Sequence, residues 1–120
     1  MSPEPLATLH EVDDLLASFE KPSDIRRAAE LAGAAEKVVA CAAQLVDVPD
    51  AEDLQRRLAF AVRAIRAAEK AGRAHRRNPL TRPFSHARFA LRTGSSRGWI
   101  QTVMRRLDPE YTPPDPTKSA

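Results

Sequence analysis

The 120-residue chain holds one cysteine, four glycines and few aromatics, 5% of its residues. A single cysteine excludes any internal disulfide framework, and Cys41 sits in the alanine-rich run VVACAAQLV, where a small packed thiol is expected. The longest apolar run, Val38 to Ala43, is far below the ~20 residues a membrane-spanning helix needs. The first residues, MSPEPLATLHEVDD, are acidic and lack the positive flank and apolar stretch of a secretion signal. A soluble, cytoplasmic protein with no membrane association is therefore expected. His10, His75 and His86 lie far apart, with no cysteine or acid pair at ligand spacing, so no metal site is expected. The segment GSSRG, residues 94–98, lacks the lysine and strand context of a nucleotide loop. No cofactor, small-molecule ligand or catalytic group is indicated, and the chain is read as a non-enzyme. The pair Asp13-Asp14 is expected on an exposed helix side.

Acidic residues are also missing from one long stretch. Residues 56–106 contain fourteen lysines and arginines and a single acid, Glu69, whereas residues 1–55 contain four basic and twelve acidic side chains. Clustered like charges repel one another unless something neutralises them. The neutralising charge belongs either to an anionic partner or to the acidic half of the same chain.

Helical periodicity runs along most of the sequence, and no alternating strand pattern or internal repeat is found. Thr8 and Glu11 have the spacing of a capping box, and Leu9, Val12, Leu16 and Phe19 then recur on one side until Lys21-Pro22-Ser23. A second helix is expected from about Asp24 to Val46, with Ile25, Ala28, Ala32, Ala35, Val39, Ala42 and Val46 along one face. A third follows the N-cap candidate Asp50, with Leu54, Leu58, Ala61, Val62, Ile65, Ala68 and Gly72 as its apolar stripe, and ends near 72–75. The connector RRNPLTRP is read as a basic loop. Two short helices, about 83–93 and 97–107, follow, and the proline-rich tail 108–120 is expected to be disordered. The expected fold is all-α: a helical bundle of three helices in 1–75, a two-helix unit in 76–107 packed on the end of the third helix, and the tail.

The break between the two short helices, FALRTGSSRGWIQTVMRRL in residues 89–107, concentrates the functional reading. Ala90 suits a close helix crossing, Gly94 a tight turn, and Ser96 a new N-cap, while Ile100, Val103 and Leu107 form an inward stripe. The order Ala90, Arg92, Gly94, Ser96, Arg97, Ile100, Val103 resembles the helix-turn-helix of lac-repressor-type regulators and sigma-factor-like proteins over about residues 84–107. Thr93 and Ser95 stand where those families usually carry bulky apolar residues. The resemblance implies a recognition helix at about 97–105 that enters the major groove.

On that reading Arg97, Gln101, Thr102 and Arg105 point away from the inward stripe and contact base edges, for which arginine, glutamine and threonine are chemically suited. Arg73, Arg76, Arg77, Arg82 and Arg88, with Ser96 at the turn, contact phosphates. The expected function is sequence-selective binding of double-stranded DNA, as a transcriptional regulator. The alternatives are a protein-interaction module that docks its basic half on an acidic partner, and a nonspecific nucleic-acid or RNA-associated protein. A homodimer is expected to form through the small residues Ala28, Ala32, Ala35 and Ala42, unless these pack within one chain.

Overall fold

The computed structural model describes residues 4–19 and 21–112. Helix α1 spans Pro5–Ala17. It starts three residues before Thr8, because proline at the first helical position already holds the helical φ and lacks an N–H that would go unpaired. The Thr8 hydroxyl turns back on the Glu4 carbonyl, and Glu11 pairs with Lys37 across the neighbouring helix, so the expected capping box is not formed. Leu9, Val12 and Leu16 are buried as their spacing implies, and Phe19 closes the stripe.

The next segment begins as a 3-10 turn, Pro22–Arg27, in which the Asp24 carboxylate accepts the Lys21 N–H at 2.9 Å. Helix α2 then runs over Glu30–Gln44, starting later than its pattern implied. Its inner face is Leu31, Ala34, Ala35, Val38 and Cys41, with Leu45 just beyond. Ala32, Val39 and Val46 face outward instead, a rotation of about one residue from the expected stripe. In an alanine-rich helix two apolar stripes compete, and the one carrying Leu31, Val38 and Leu45 buries more area. Ala28 and Ala35 are fully buried within the chain, which removes them from any surface for dimer contact.

Helix α3, Ala51–Arg77, follows Asp50, whose backbone is left-handed at φ 60°. The Asp50 carboxylate accepts a bond from Arg106 at 3.0 Å rather than capping α3. Leu54, Leu58, Ala61, Ile65, Ala68 and Gly72 point inward as expected, joined by Ala64 and Ala71, and the helix continues through the first residues of the expected loop. A short 3-10 turn, Pro79–Thr81, leads directly into α4, Arg82–Leu107.

Helix α4 is continuous where a turn and two separate helices were expected. None of the glycines has positive φ, and Gly94 lies within the helix. The hydroxyl residues around it bond to carbonyls of their own helix: Thr93 to Ala90 at 3.0 Å, Ser96 to Arg92 at 2.8 Å and Thr102 to Gly98 at 2.9 Å. Such back-bonding lets serine and threonine occupy a buried helical position without an unpaired donor. Ser85, Phe89, Thr93, Ser96, Ile100 and Val103 thus form one buried stripe at spacings of three and four. Opposite it, Ala61, Ala64, Ala68 and Ala71 keep the α3 side equally small, and the Ser96 hydroxyl lies 3.4 Å from the Ala61 carbonyl.

The four helices form an antiparallel bundle in which each packs on its neighbours in sequence and α1 closes the ring against α4. Paired side chains give the directions. Pro5 meets Cys41 and Glu11 meets Lys37; Gln55 reaches the Ala42 and Leu45 carbonyls; His10 meets Tyr111 while Phe19 meets Phe89. One contiguous core takes in residues from Leu9 to Met104, so α4 shares the core of the first three helices from Phe89 onward. Of the tail, residues 108–112 are described and Tyr111 packs edge-on to His10, with centroids 5.2 Å apart; the expected disorder of residues 113–120 concerns residues outside those described.

Helices of 27 and 26 residues overrun partners of 13 and 15. The overhang begins where the 3-10 turn crosses α3 at Gly72. A Cβ built there would lie 2.3 Å from the Ala28 Cβ and 3.3 Å from the Ile25 carbonyl oxygen. Beyond Gly72 and Phe89, α3 and α4 continue as a two-helix tip joined at Pro79–Thr81.

Candidate nucleic-acid interface

The residues expected to read bases divide sharply in the structure. Asp13 on α1 is 5% exposed, and its Oδ1 accepts Arg97 Nε at 3.0 Å and Gln101 Nε2 at 3.3 Å. Arg97 and Gln101 therefore tie α4 to α1, and Asp13, expected on an exposed side, is the buried acceptor of that tie. Releasing Arg97 toward DNA would strip a buried carboxylate of its ionic partner, a state that costs several kcal/mol where burial is complete. Thr102 is bonded to the Gly98 carbonyl. Arg105 alone of the four is exposed, and among the described residues it makes no hydrogen bond or ion pair, its charge acting only on nearby Tyr111. Ser96 is fully buried between α3 and α4, which excludes it from phosphate contact in this arrangement.

The expected phosphate contacts, in contrast, gather in one place. Arg73, Arg76, Arg77, Arg82 and Arg88 are all exposed on the α3–α4 tip. Arg73 keeps a loose approach to Glu69 at 3.7 Å. The Arg82 Nε donates to the His75 carbonyl at 3.4 Å, and the His75 ring lies 3.3 Å from the Arg82 carbonyl, so these two residues tie the ends of the turn together. The Asn78 carboxamide oxygen accepts the Leu80 N–H at 3.1 Å and shapes the turn itself.

Four further residues, Lys70, Phe84, Arg92 and Leu80, lie beside these cations. Lys70 lies between two adjoining depressions, one with Arg73 and Arg77 on its rim, the other a groove between α3 and α4 walled by Phe84, Arg88 and Arg92. Arg92 stands one turn after Arg88, a spacing whose meaning depends on reading 82–107 as one helix. Phe84 is 75% exposed and Leu80 is 89% exposed. Phe84 carries no signal of exposure in the sequence, because an apolar residue in a helical pattern is normally read as core, whereas Leu80 falls in the expected loop.

Elsewhere several of the basic residues meet acids of the first half of the chain. Arg57 bonds Asp53 at 2.8 Å, Arg106 bonds Asp50, and Arg27 bonds Glu30 at 3.0 Å. The hydrogen bond from Arg57 lowers the Asp53 pKa, as that from Arg27 lowers the Glu30 pKa. Burial, and then the nearby Asp13 charge, raises the Tyr111 pKa. Burial likewise raises that of Cys41, whose thiol is packed against the Pro5 carbonyl as expected of a structural cysteine. Self-neutralisation is thus real, but on the tip it extends only to Arg73, beside Glu69.

Among the described residues no group of histidine, cysteine or acidic side chains is arranged to hold a metal ion, and no helix is long and apolar enough to cross a membrane. No protein-family model, curated protein or solved structure matches the chain.

Proposed function

We propose that the protein binds double-stranded DNA by its phosphates, through the tip of α3 and α4, rather than by reading bases with residues 97–105. One observation carries this reading: residues 70–92 hold six arginines and one lysine with no acid, Glu69 just before them meeting only Arg73, and these cations lie on or beside the overhanging end of the bundle. Phosphate contacts supply affinity without sequence information, because every base pair presents the same backbone. A regulatory role would need base selectivity from another source, since Arg97 and Gln101 are engaged by Asp13.

The test is the fluorescence anisotropy of a labelled random duplex as salt is varied. With four to six phosphates neutralised, the logarithm of the binding constant should fall against the logarithm of salt with a slope of about −4 to −5. Affinity independent of salt, or no affinity at low salt, would remove DNA as the partner. A strongly preferred sequence lost on Gln101→Ala would restore the recognition-helix reading.

A further inference from the structure

Phe84 is out of place in a surface that only grips phosphates. The other exposed phenylalanine, Phe60, is 36% exposed and packs against Trp99, with ring centroids 5.1 Å apart and the Arg63 guanidinium over its face. Phe84 is 75% exposed and has no ring or cation partner among the described residues. It forms part of the groove between α3 and α4, with Lys70, Arg88 and Arg92 at the sides and small residues, Ala71 and Ser85, among the lining. A paired base offers its face to its neighbours in the stack and leaves nothing for such a ring. An unpaired base has a free face, and the phosphates on either side of it need cations close to the ring.

We infer that the groove between α3 and α4 is a stacking site for an unpaired base, with Phe84 as the platform and Lys70, Arg88 and Arg92 holding the flanking phosphates. The preferred partner is then a nucleic acid with a single-stranded stretch. This rests on the proposed phosphate-binding role of the tip and adds that bases contribute to affinity through their faces, without regard to identity. Leu80 lies on the turn and does not line the groove, so the ring and the cations form the site without it.

The experiment compares a labelled thymidine oligonucleotide with an abasic strand of the same length, which presents the same phosphates and no bases, and with a duplex. The full chain should bind the thymidine strand about tenfold more tightly than the abasic strand, the equivalent of one stacked base. Phe84→Ala should bring that ratio to about one while leaving abasic binding unchanged, and Phe84→Trp should preserve it. Because the ring is mostly exposed, the alanine variant keeps the core intact, which its thermal unfolding will verify. A wild-type ratio near one, or a ratio that survives Phe84→Ala, overturns the inference. If the duplex still binds with strong salt dependence, the phosphate-binding reading stands without it; if no nucleic acid binds, both fall. Binding to phosphatidylserine vesicles that is lost on Phe84→Ala, with no preference for the thymidine strand, would reassign the groove to a lipid surface.

Discussion

The two ends of this bundle carry the same kind of side chain to opposite effect. At the end where α3 begins and α4 finishes, arginines meet acids: Arg57 with Asp53 and Arg106 with Asp50. Farther along α4, Arg97 meets the buried Asp13. At the other end Arg76, Arg77, Arg88 and Arg92 have no acid beside them among the described residues. Density of positive charge along a sequence therefore says little about which cations are available. What decides availability is whether an acid lies within reach, one turn away as Asp53 is from Arg57 or across the bundle as Asp13 is from Arg97, and α1 and α2 are too short to reach the tip.

On this contrast the residues of the bound region should matter to the fold and those of the tip should be dispensable to it, which can be tested from the largest effect on folding to the smallest. Arg97→Ala leaves Asp13 buried with only Gln101 as a partner, and unfolding by urea should show a loss of about 2–3 kcal/mol, below the full cost of breaking a buried pair because Arg97 is partly exposed. A loss below about 0.5 kcal/mol, as for ordinary surface residues, would erase the distinction between the two regions.

The glycines sharpen the same comparison. Gly72→Ala forces a methyl group against Ala28 and the Ile25 backbone where the turn crosses α3, and should destabilise by about 1–3 kcal/mol. Gly94 has open space around its missing Cβ and lies inside a helix, so Gly94→Ala should stabilise by up to about 1 kcal/mol. Destabilisation by Gly94→Ala would indicate a turn at that position and bring back the two-helix unit.

At the tip, replacing Arg76 and Arg77 together by alanine should change stability by less than about 0.5 kcal/mol. The same change should lower the salt slope of DNA binding by about 2 and weaken all duplex sequences alike. A stability loss comparable with that of Arg97→Ala would show that these arginines are also part of the fold.

The smallest effect expected on folding comes from acid. The folded-state pKa values of Asp53 and Glu30 are lowered by their arginine partners. Their contributions are present above the unfolded carboxylate range of about 4 and fade as pH falls through the lowered values. Glu30 is exposed and Asp53 partly so, and solvent screens both pairs, so the loss is small. Amide exchange should quicken there before it changes at residues 73–88, where no carboxylate is present to titrate. Earlier loosening of the tip would contradict this order.

Much of the architecture was legible in the residues alone. Leu9, Val12 and Leu16 in α1, and Leu54, Leu58 and Ile65 in α3, are large apolar side chains among polar ones, so only one helical face can be buried. That contrast weakens in α2, where alanines supply a second apolar face, and is reversed in α4, where Thr93 and Ser96 occupy the buried stripe. The basic tip was visible as Arg73 to Arg88, while Phe84 and Arg92 were not assigned to it.

Sequence by itself determined an all-helical chain, the inner faces of α1 and α3, and a long basic segment, because each is set by local periodicity and charge. Tertiary structure decided the rest. Whether Gly94 turns the chain depends on Ala61 and its neighbours, which offer α4 a close-packed partner, and on hydroxyls that bond back to their own helix. Which arginines remain available depends on Asp13, Asp50 and Asp53, each more than forty residues away from a partner it holds and brought there only by antiparallel packing.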